Sequence, residues 1–296
     1  MKPPAFDYYR PESISEATSL LKTMDDAKIL AGGQSLIPMM NMRLARPQAL
    51  IDINRIQALT SINDQGESLR VGALVRHCEL ETNPLVQRYV PLVSQAEGFI
   101  GHTAIRSRGT IGGSLAHADP AAELPVLAVL YDWDLIVESA DQTRTIPARD
   151  FFLSYFITAL DPTEILTAID IPKQNGRGHI SEYAIRAGDF ALAIAAVSVR
   201  LTADNLIDDV RVALGGVADV PWRDPQLEEQ WRNQSASPDL WRDIAHVVSE
   251  RIEPTDDLQA SAAYRRQLAE TLVYRALQKA YRDPDAGSTM EGSFDR

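Results

Sequence analysis

The sequence predicts an α+β protein built in two unequal parts, and three observations carry that prediction. Short apolar runs at 28–31, 49–53 and 69–73 are joined to amphipathic stretches by brief connections, a mixed βαββ-like pattern. A polar, glycine-bearing break at 173–178 (KQNGRG) separates this region from a second one with its own strands and helices. Two glycine pairs, Gly32-Gly33 and Gly112-Gly113, each stand beside a hydroxyl residue at the expected mouth of a helix. The boundaries read from this are 1–176, split into two halves near 55–60, then 177–282, then a polar tail over 283–296.

The elements follow in order. FDYY at 6–9 reads as a short strand, broken by Pro11. Ser13-Ile14-Ser15-Glu16 fits a capping box that opens a helix through about Met24. The apolar run 28–31 leads into the first glycine loop, with Ser35 as the expected N-cap and Pro38 just inside the next helix. Strands are expected at 49–53 and 69–73, and helices near 76–82 and 84–98. After the second glycine loop, Asp119 reads as an N-cap with Pro120 at the first helical position of a helix through Leu130. Strands at 134–139 and 143–147 pair across a turn, and 165–171 is one more strand, ended by Pro172. Beyond the break, the alanine- and valine-rich run 190–201 and its partner 209–214 form a hairpin, followed by helices at 239–251 and 259–281.

Composition narrows the function. With 45% hydrophobic and 24% charged residues, the chain is that of an ordinary soluble globular protein. A net charge of −12 over 296 residues argues against a nucleic-acid or anionic-membrane partner. No run approaches the ~18 apolar residues of a membrane span, and the N-terminus lacks an apolar signal core, so the expected location is cytoplasmic. The single cysteine, Cys78, cannot hold an iron–sulfur cluster or a zinc-thiolate site, and the five histidines show no metal-ligand spacing.

The two glycine loops, about eighty residues apart, are the chemistry the residues offer. Glycine lets backbone N–H groups approach an anion, and a helix start adds a favourable dipole, so two such loops suit the two phosphates of a dinucleotide. A plain strand-to-helix turn explains either one equally well. Neither is a G-x-G-x-x-G dinucleotide fingerprint, and neither is followed by the Gly-Lys-Ser/Thr of a nucleoside-triphosphate loop. Arg43 and Arg46 lie near the first loop and face either an anion or solvent. His117 reads as a buried, satisfied histidine, and Glu123 as a carboxylate one turn into its helix, favouring the helix dipole. No G-x-S-x-G elbow is present, Cys78 and its neighbour His77 point apart on a helix, and no paired carboxylates stand out. The chain reads as a cofactor holder without catalytic or metal-binding residues of its own.

Four stretches, AGGQSLIPMMNMRLARP (31–47), TIGGSLAHADPAAELP (110–125), EILTAIDIP (164–172) and RAGDFALA (186–193), together resemble the FAD-binding medium subunit of the molybdenum hydroxylases. This is the family of the carbon monoxide dehydrogenase flavoprotein and the xanthine dehydrogenase FAD domain, and the resemblance runs from Phe6 to about residue 280. It implies a two-subdomain FAD-binding fold of the vanillyl-alcohol oxidase and p-cresol methylhydroxylase type, with a small C-terminal α+β domain. It assigns the FAD pyrophosphate to Ala31, Gly32, Gly33, Gln34 and Ser35, with Leu36 a further cofactor-binding position and Ile29 packing on the cofactor. Gly101 and Ile105 match flavin-neighbour positions, Thr110, Gly113 and Ser114 the second phosphate-side loop, Glu123 an acidic residue bonded to the sugar or ribityl region, and Leu166 a backbone contact at the adenine or flavin edge.

Two departures accompany the resemblance. Some relatives carry a lysine just before the Gly-Asp pair, where this chain has Ser181-Glu182-Tyr183-Ala184, with Arg186 a weak substitute. Others have a tyrosine after Gly-Asp, where Phe190 keeps the stacking surface and loses the hydroxyl. The resemblance implies an electron-transfer flavoprotein in a dimer of heterotrimers. A large partner would hold molybdopterin and a small one two [2Fe–2S] clusters, with FAD on this chain passing electrons to an external acceptor. A nitrogen heteroaromatic is the expected substrate of the holoenzyme, with carbon monoxide or an aldehyde as the alternative. A self-sufficient flavin oxidase would need its own acid–base residue and a larger substrate domain. An assembly protein that had lost FAD is hard to reconcile with the intact glycines.

Overall fold

The computed structural model describes residues 1–282, so the expected polar tail over 283–296 lies outside the described residues. Four sheets organise the chain. In the first, β1 (Asp7–Tyr9) and β2 (Ala27–Leu30) both run parallel to a central β3 (Ala49–Asp52). Helix α1 (Ile14–Thr23) packs on this sheet through Ala17 and Leu21, in a small core shared with Ile51, Ile53, Leu74 and Ile165. Half of its expected capping box forms: Ser13 Oγ accepts from the Glu16 amide at 3.1 Å, while the Glu16 carboxylate reaches one residue beyond the cap, to the Glu12 amide at 2.9 Å. Helix α2 (Leu36–Asn41) follows the first glycine loop.

The second sheet is antiparallel, ordered β4 (Ile62–Asp64), β5 (Ser68–Gly72), β10 (Ile165–Pro172), β6 (Asp134–Glu138), β7 (Thr143–Pro147). A layer of helices covers it: α3 (His77–Thr82), α4 (Pro84–Tyr89), α5 (Pro91–Glu97), α6 (Thr103–Arg106), α7 (Ile111–His117) and α8 (Glu123–Leu130). The single helix expected over 84–98 is two, because Pro91 has no N–H to continue the ladder; each piece starts on its own proline. The N-cap expected at Asp119 is also corrected. Its carboxylate accepts from the Ala121 amide in a local turn at 2.9 Å, and α8 begins later, with Ala122 at the cap and Glu123 as its first residue. Short α9 (Ala148–Phe151) leads into a hairpin of β8 (Phe152–Ser154) and β9 (Ile157–Thr158) that the sequence pattern did not reveal.

The last sheet is antiparallel: β11 (Arg177–Tyr183), β12 (Ala193–Leu201), β13 (Ile207–Gly215), β14 (Trp222–Arg223). After α10 (Pro225–Glu228), helices α11 (Pro238–Arg251) and α12 (Ala262–Arg282) bury Trp241, Ile244, Val273 and Leu277 against one face. The opposite face, through Ile180, Ile194, Ala196 and Ala213, joins the large core that also holds Leu69, Trp133 and Ile169 from the second sheet. Each buried aliphatic or aromatic side chain of this core contributes roughly 1.5–3 kcal/mol. Among the described residues no helix is long and apolar enough to cross a membrane.

Candidate functional site

The first loop leaves β2 at Leu30 and turns within three residues. Gly33 has φ +71°, a left-handed conformation that disfavours any side chain. A Cβ on Gly32 would stand 2.4 Å from the Arg108 carbonyl oxygen and 2.7 Å from the Gly109 Cα. The two glycine-bearing segments, far apart in sequence, are therefore in backbone contact. The loop closes into α2 through Ile37 N–H to Gly33 O and Met39 N–H to Ser35 O, both 3.1 Å. Ser35 occupies the cap position, yet its side chain caps nothing. Among the described hydrogen bonds, none takes up the amides of Gly33, Gln34 or Ser35. An open row of N–H groups at a turn is a cradle for an oxyanion.

The second loop is made differently. Ile111 N–H donates to Val75 O at 3.1 Å and Gly112 N–H to Ala73 O at 3.0 Å. Gly113 N–H is capped by Thr110 Oγ1, also at 3.1 Å, and Ser114 N–H bonds Thr110 O. Gly112 is glycine because a Cβ would come within 2.4 Å of the Ala73 Cβ and 2.7 Å of its carbonyl oxygen. The two loops therefore differ: the amides of 111–114 are bonded within the protein. What this loop offers outward is Gly113, whose Cβ position lies 3.9 Å from the Ala31 Cβ, and the Ser114 hydroxyl.

A side-chain brace spans the two loops. Asn54 Nδ2 donates to Ala31 O at 2.8 Å, and Arg76 donates to Asn54 Oδ1 at 2.6 Å and to Arg108 O. Behind the second loop, His77 Nδ1 lies 2.9 Å from Glu97 Oε2, both buried, and His77 fills the space against Gly109. Burial pushes the Glu97 carboxyl up and His77 pulls it partly back.

Farther along, Gly101 (φ +49°) lets Ile105 fold against it, and Gly188 packs on His102 with no room for a Cβ. That contact sets the 186–189 turn on the 101–105 segment. Phe190, next in the chain, is 64% exposed and lies on a groove of about 260 Å³ with Asp119, Tyr155, Phe156 and Arg265. His117, expected to be buried and satisfied, is instead half-buried and stacks on Phe156 at 4.9 Å between centroids.

Glu123 faces a second acid that sequence reading passed over. Burial, with the charge of Glu182 next in importance, pushes the Glu123 carboxyl up to about 8. Burial likewise pushes Glu182 of β11 up to about 7, and its buried Oε2 has no hydrogen-bond partner among the described residues. Carboxyls raised this far carry a proton for part or most of the time near neutral pH, so they can donate hydrogen bonds as well as accept them. Their pairing crosses from α8 to β11, so sequence spacing gave no signal of it.

The remaining expected positions fall as follows. Ile29 is half-buried in β2 and packs on the small core; Leu36 opens α2. Leu166 is buried in β10 opposite Val137, with its side chain in the large core, so only its backbone is left for a ligand. The structure brings Ala31, Gly32, Gly33, Gln34, Ser35, Thr110, Gly113 and Ser114 to one place. Glu123 and Phe190 lie beyond the far end of α7. Among the described residues no cluster of His, Cys, Asp and Glu could hold a metal ion.

Comparison with known proteins bears on this arrangement directly. The family model for the FAD binding domain in molybdopterin dehydrogenase matches residues 4–174, and that for the CO dehydrogenase flavoprotein C-terminal domain matches 179–280. The chain is 39% identical over 281 residues to the nicotine 6-hydroxylase medium subunit of Paenarthrobacter nicotinovorans, covering 95% of this chain and 99% of that one. It is 37% identical over 280 residues to the glyceraldehyde dehydrogenase medium chain of Sulfolobus acidocaldarius, covering 94% and 99%. The solved structure of carbon monoxide dehydrogenase from Hydrogenophaga pseudoflava aligns at a TM-score of 0.91 and 35% identity, over 95% of this chain and 99% of that one.

Proposed function

This chain belongs to the family of FAD-binding medium subunits of the molybdenum hydroxylases, and from that premise we propose that it relays electrons from iron–sulfur clusters to an external acceptor within a dimer of heterotrimers. It is an oxidoreductase subunit and its cofactor is FAD. The observation that carries the reading is the meeting of Gly32 with Gly109, which sets an open amide cradle beside a second, rigid loop. Bound FAD supplies one- and two-electron chemistry. The chain's own residues do the rest.

The amides of Gly33, Gln34 and Ser35 would take the diphosphate, with Gly113 and Ser114 on its other side. Glu123 and Glu182, their carboxyls raised by burial, would be able to donate to cofactor hydroxyls or ring oxygens as well as accept from them. Phe190 presents an exposed ring at the groove where the flavin edge would lie. With one cysteine in the whole sequence, the [2Fe–2S] clusters belong to a small partner subunit and molybdopterin to a large one. A cytoplasmic location fits this assembly.

The holoenzyme substrate is a nitrogen heteroaromatic in this reading, supported by the likeness to the nicotine 6-hydroxylase subunit. An aldehyde is the second reading, supported by the comparable likeness to the glyceraldehyde dehydrogenase chain. An absorbance spectrum of the native complex, with metal analysis and subunit mass spectrometry, tests the whole proposal. FAD, molybdenum, iron and two further chains are expected. FAD on this chain alone, reduced directly by a small substrate, would overturn it.

A further inference from the structure

Arg76 stands where the two loops meet. It lies just ahead of α3, and its backbone bridges to Thr110. One arm of its guanidinium donates to the carbonyl of Arg108, the residue before Gly109, and the other to Asn54 Oδ1. Asn54 is itself fixed: its backbone N–H and Nδ2 both donate to Asp52 Oδ1, and Nδ2 also donates to Ala31 O, the residue before Gly32. Two side chains thus tie the approach to one glycine loop to the approach to the other.

The charge on this brace has no ion pair among the described residues. Three other arginines packed into the protein each have a carboxylate: Arg223 has Glu228 at 2.9 Å, Arg106 has Glu81 at 3.0 Å, and Arg265 has Asp257. Both hydrogen-bond acceptors of Arg76 are neutral oxygens. Burial pushes its pKa down, and the neighbouring charge of Arg108 acts in the same direction. Cys78 and, more weakly, Asp52 act the other way, and Asp52 is already bonded to Tyr8 and Asn54. A half-buried cation with no ion-paired carboxylate among the described residues is costly to fold. It is rational where an anionic ligand supplies the missing charge.

We propose that Arg76, positioned by Asn54, recognises the diphosphate of FAD, its charge being completed only when the cofactor lies between the two loops. The proposal rests on the flavin reading above and assigns the charge recognition of that site to a residue outside both glycine motifs. Asn54 is a positioning residue: it acts through Arg76 and through the Ala31 carbonyl.

The test compares two flavins that differ in phosphate. The full chain is stripped of FAD, and affinities for FAD and for riboflavin, which has no phosphate, are read by flavin fluorescence. Arg76→Gln keeps donors and removes the charge. It is expected to weaken FAD by about tenfold or more while riboflavin stays within about twofold, in keeping with the worth of a charge-assisted hydrogen bond. Arg76→Lys, which restores the charge should the Gln variant fold poorly, is expected to hold FAD within about threefold of the wild-type value. Asn54→Ala is expected to lie between the two. Equal losses for FAD and riboflavin in Arg76→Gln would make the arginine merely structural and overturn the proposal, as would an unchanged FAD affinity. A wild-type chain that prefers FAD no more than riboflavin would overturn the phosphate reading of the loops themselves, a result separable from any variant.

Discussion

The two glycine pairs look alike in sequence and are unlike in physics. At Gly32-Gly33 the backbone turns through a left-handed residue, and the amides of Gly33, Gln34 and Ser35 stay open. At Gly112-Gly113 the amides are bonded inward, and glycine is present because α7 runs too close to Ala73 to admit a methyl group. The first pair packs closely at Gly32 and opens a cradle at Gly33, whereas the second is a packing joint only. A Gly-Gly dipeptide before a helix therefore reports close approach, and whether to a ligand or to the protein depends on where the N–H groups go.

The contrast is easiest to break at its extremes. Gly33→Glu would put a side chain and a negative charge into the open cradle. It is expected to abolish FAD retention, read from the flavin-to-protein absorbance ratio, while the apoprotein melts within a few degrees of wild type. Full flavin occupancy in that variant would remove the first loop from the site. Gly112→Ala is expected to do the reverse. Its methyl has no space, so the chain should lose about 2–3 kcal/mol of stability in denaturant unfolding. The fraction that folds should still take up FAD.

A pH profile separates the loops from the acids beyond α7. The Glu123 carboxyl, ordinarily near 4.5, sits at about 8 in the folded chain. The folded state therefore binds the proton more tightly than the unfolded one. Its contribution is fully present below about pH 4.5 and is lost as pH rises through 8. Apoprotein melting temperature should fall across that window, and Glu123→Gln should flatten the fall while weakening FAD. A profile unchanged by Glu123→Gln would mean that the acid is ionised at neutral pH.

The smallest expected effect is at the two hydroxyls. Thr110→Ala removes a real cap on the Gly113 amide and should cost about 1 kcal/mol in thermal unfolding of the apoprotein. Ser35→Ala removes a side chain that caps nothing and should cost less than about 0.5 kcal/mol. Equal costs would erase the distinction between the loops.

Much of the fold was legible because it is locally encoded. The capping box at Ser13, the apolar runs of β2, β3 and β5, and the hairpin of β12 and β13 all announce themselves within a few residues. What escaped depends on partners distant in the chain. β11 mixes polar and apolar residues because α12 shields part of it, and the β8–β9 hairpin is too short for a pattern. The glycine loops were visible as residues, but their different roles were not, since Ala73 and Arg108 decide them. Arg76, Asn54 and Glu182 carry no motif; only folding makes neighbours of Ala31 and Arg108, or of Glu182 and Glu123.

The four-stranded sheet buries one face in the same apolar mass that fills the layer over the second sheet. The stretch 173–178 that joins the two family-matched regions is therefore a connection in sequence without being a seam in packing. Cutting the chain there with a protease should leave two fragments that travel together through a sizing column. Expressing either one alone should yield material that aggregates. For lineage as for engineering, the corollary is that the C-terminal unit cannot be exchanged between relatives like a cartridge. A chimera would have to carry over the matching inner faces of α5 and α8, or rebuild them.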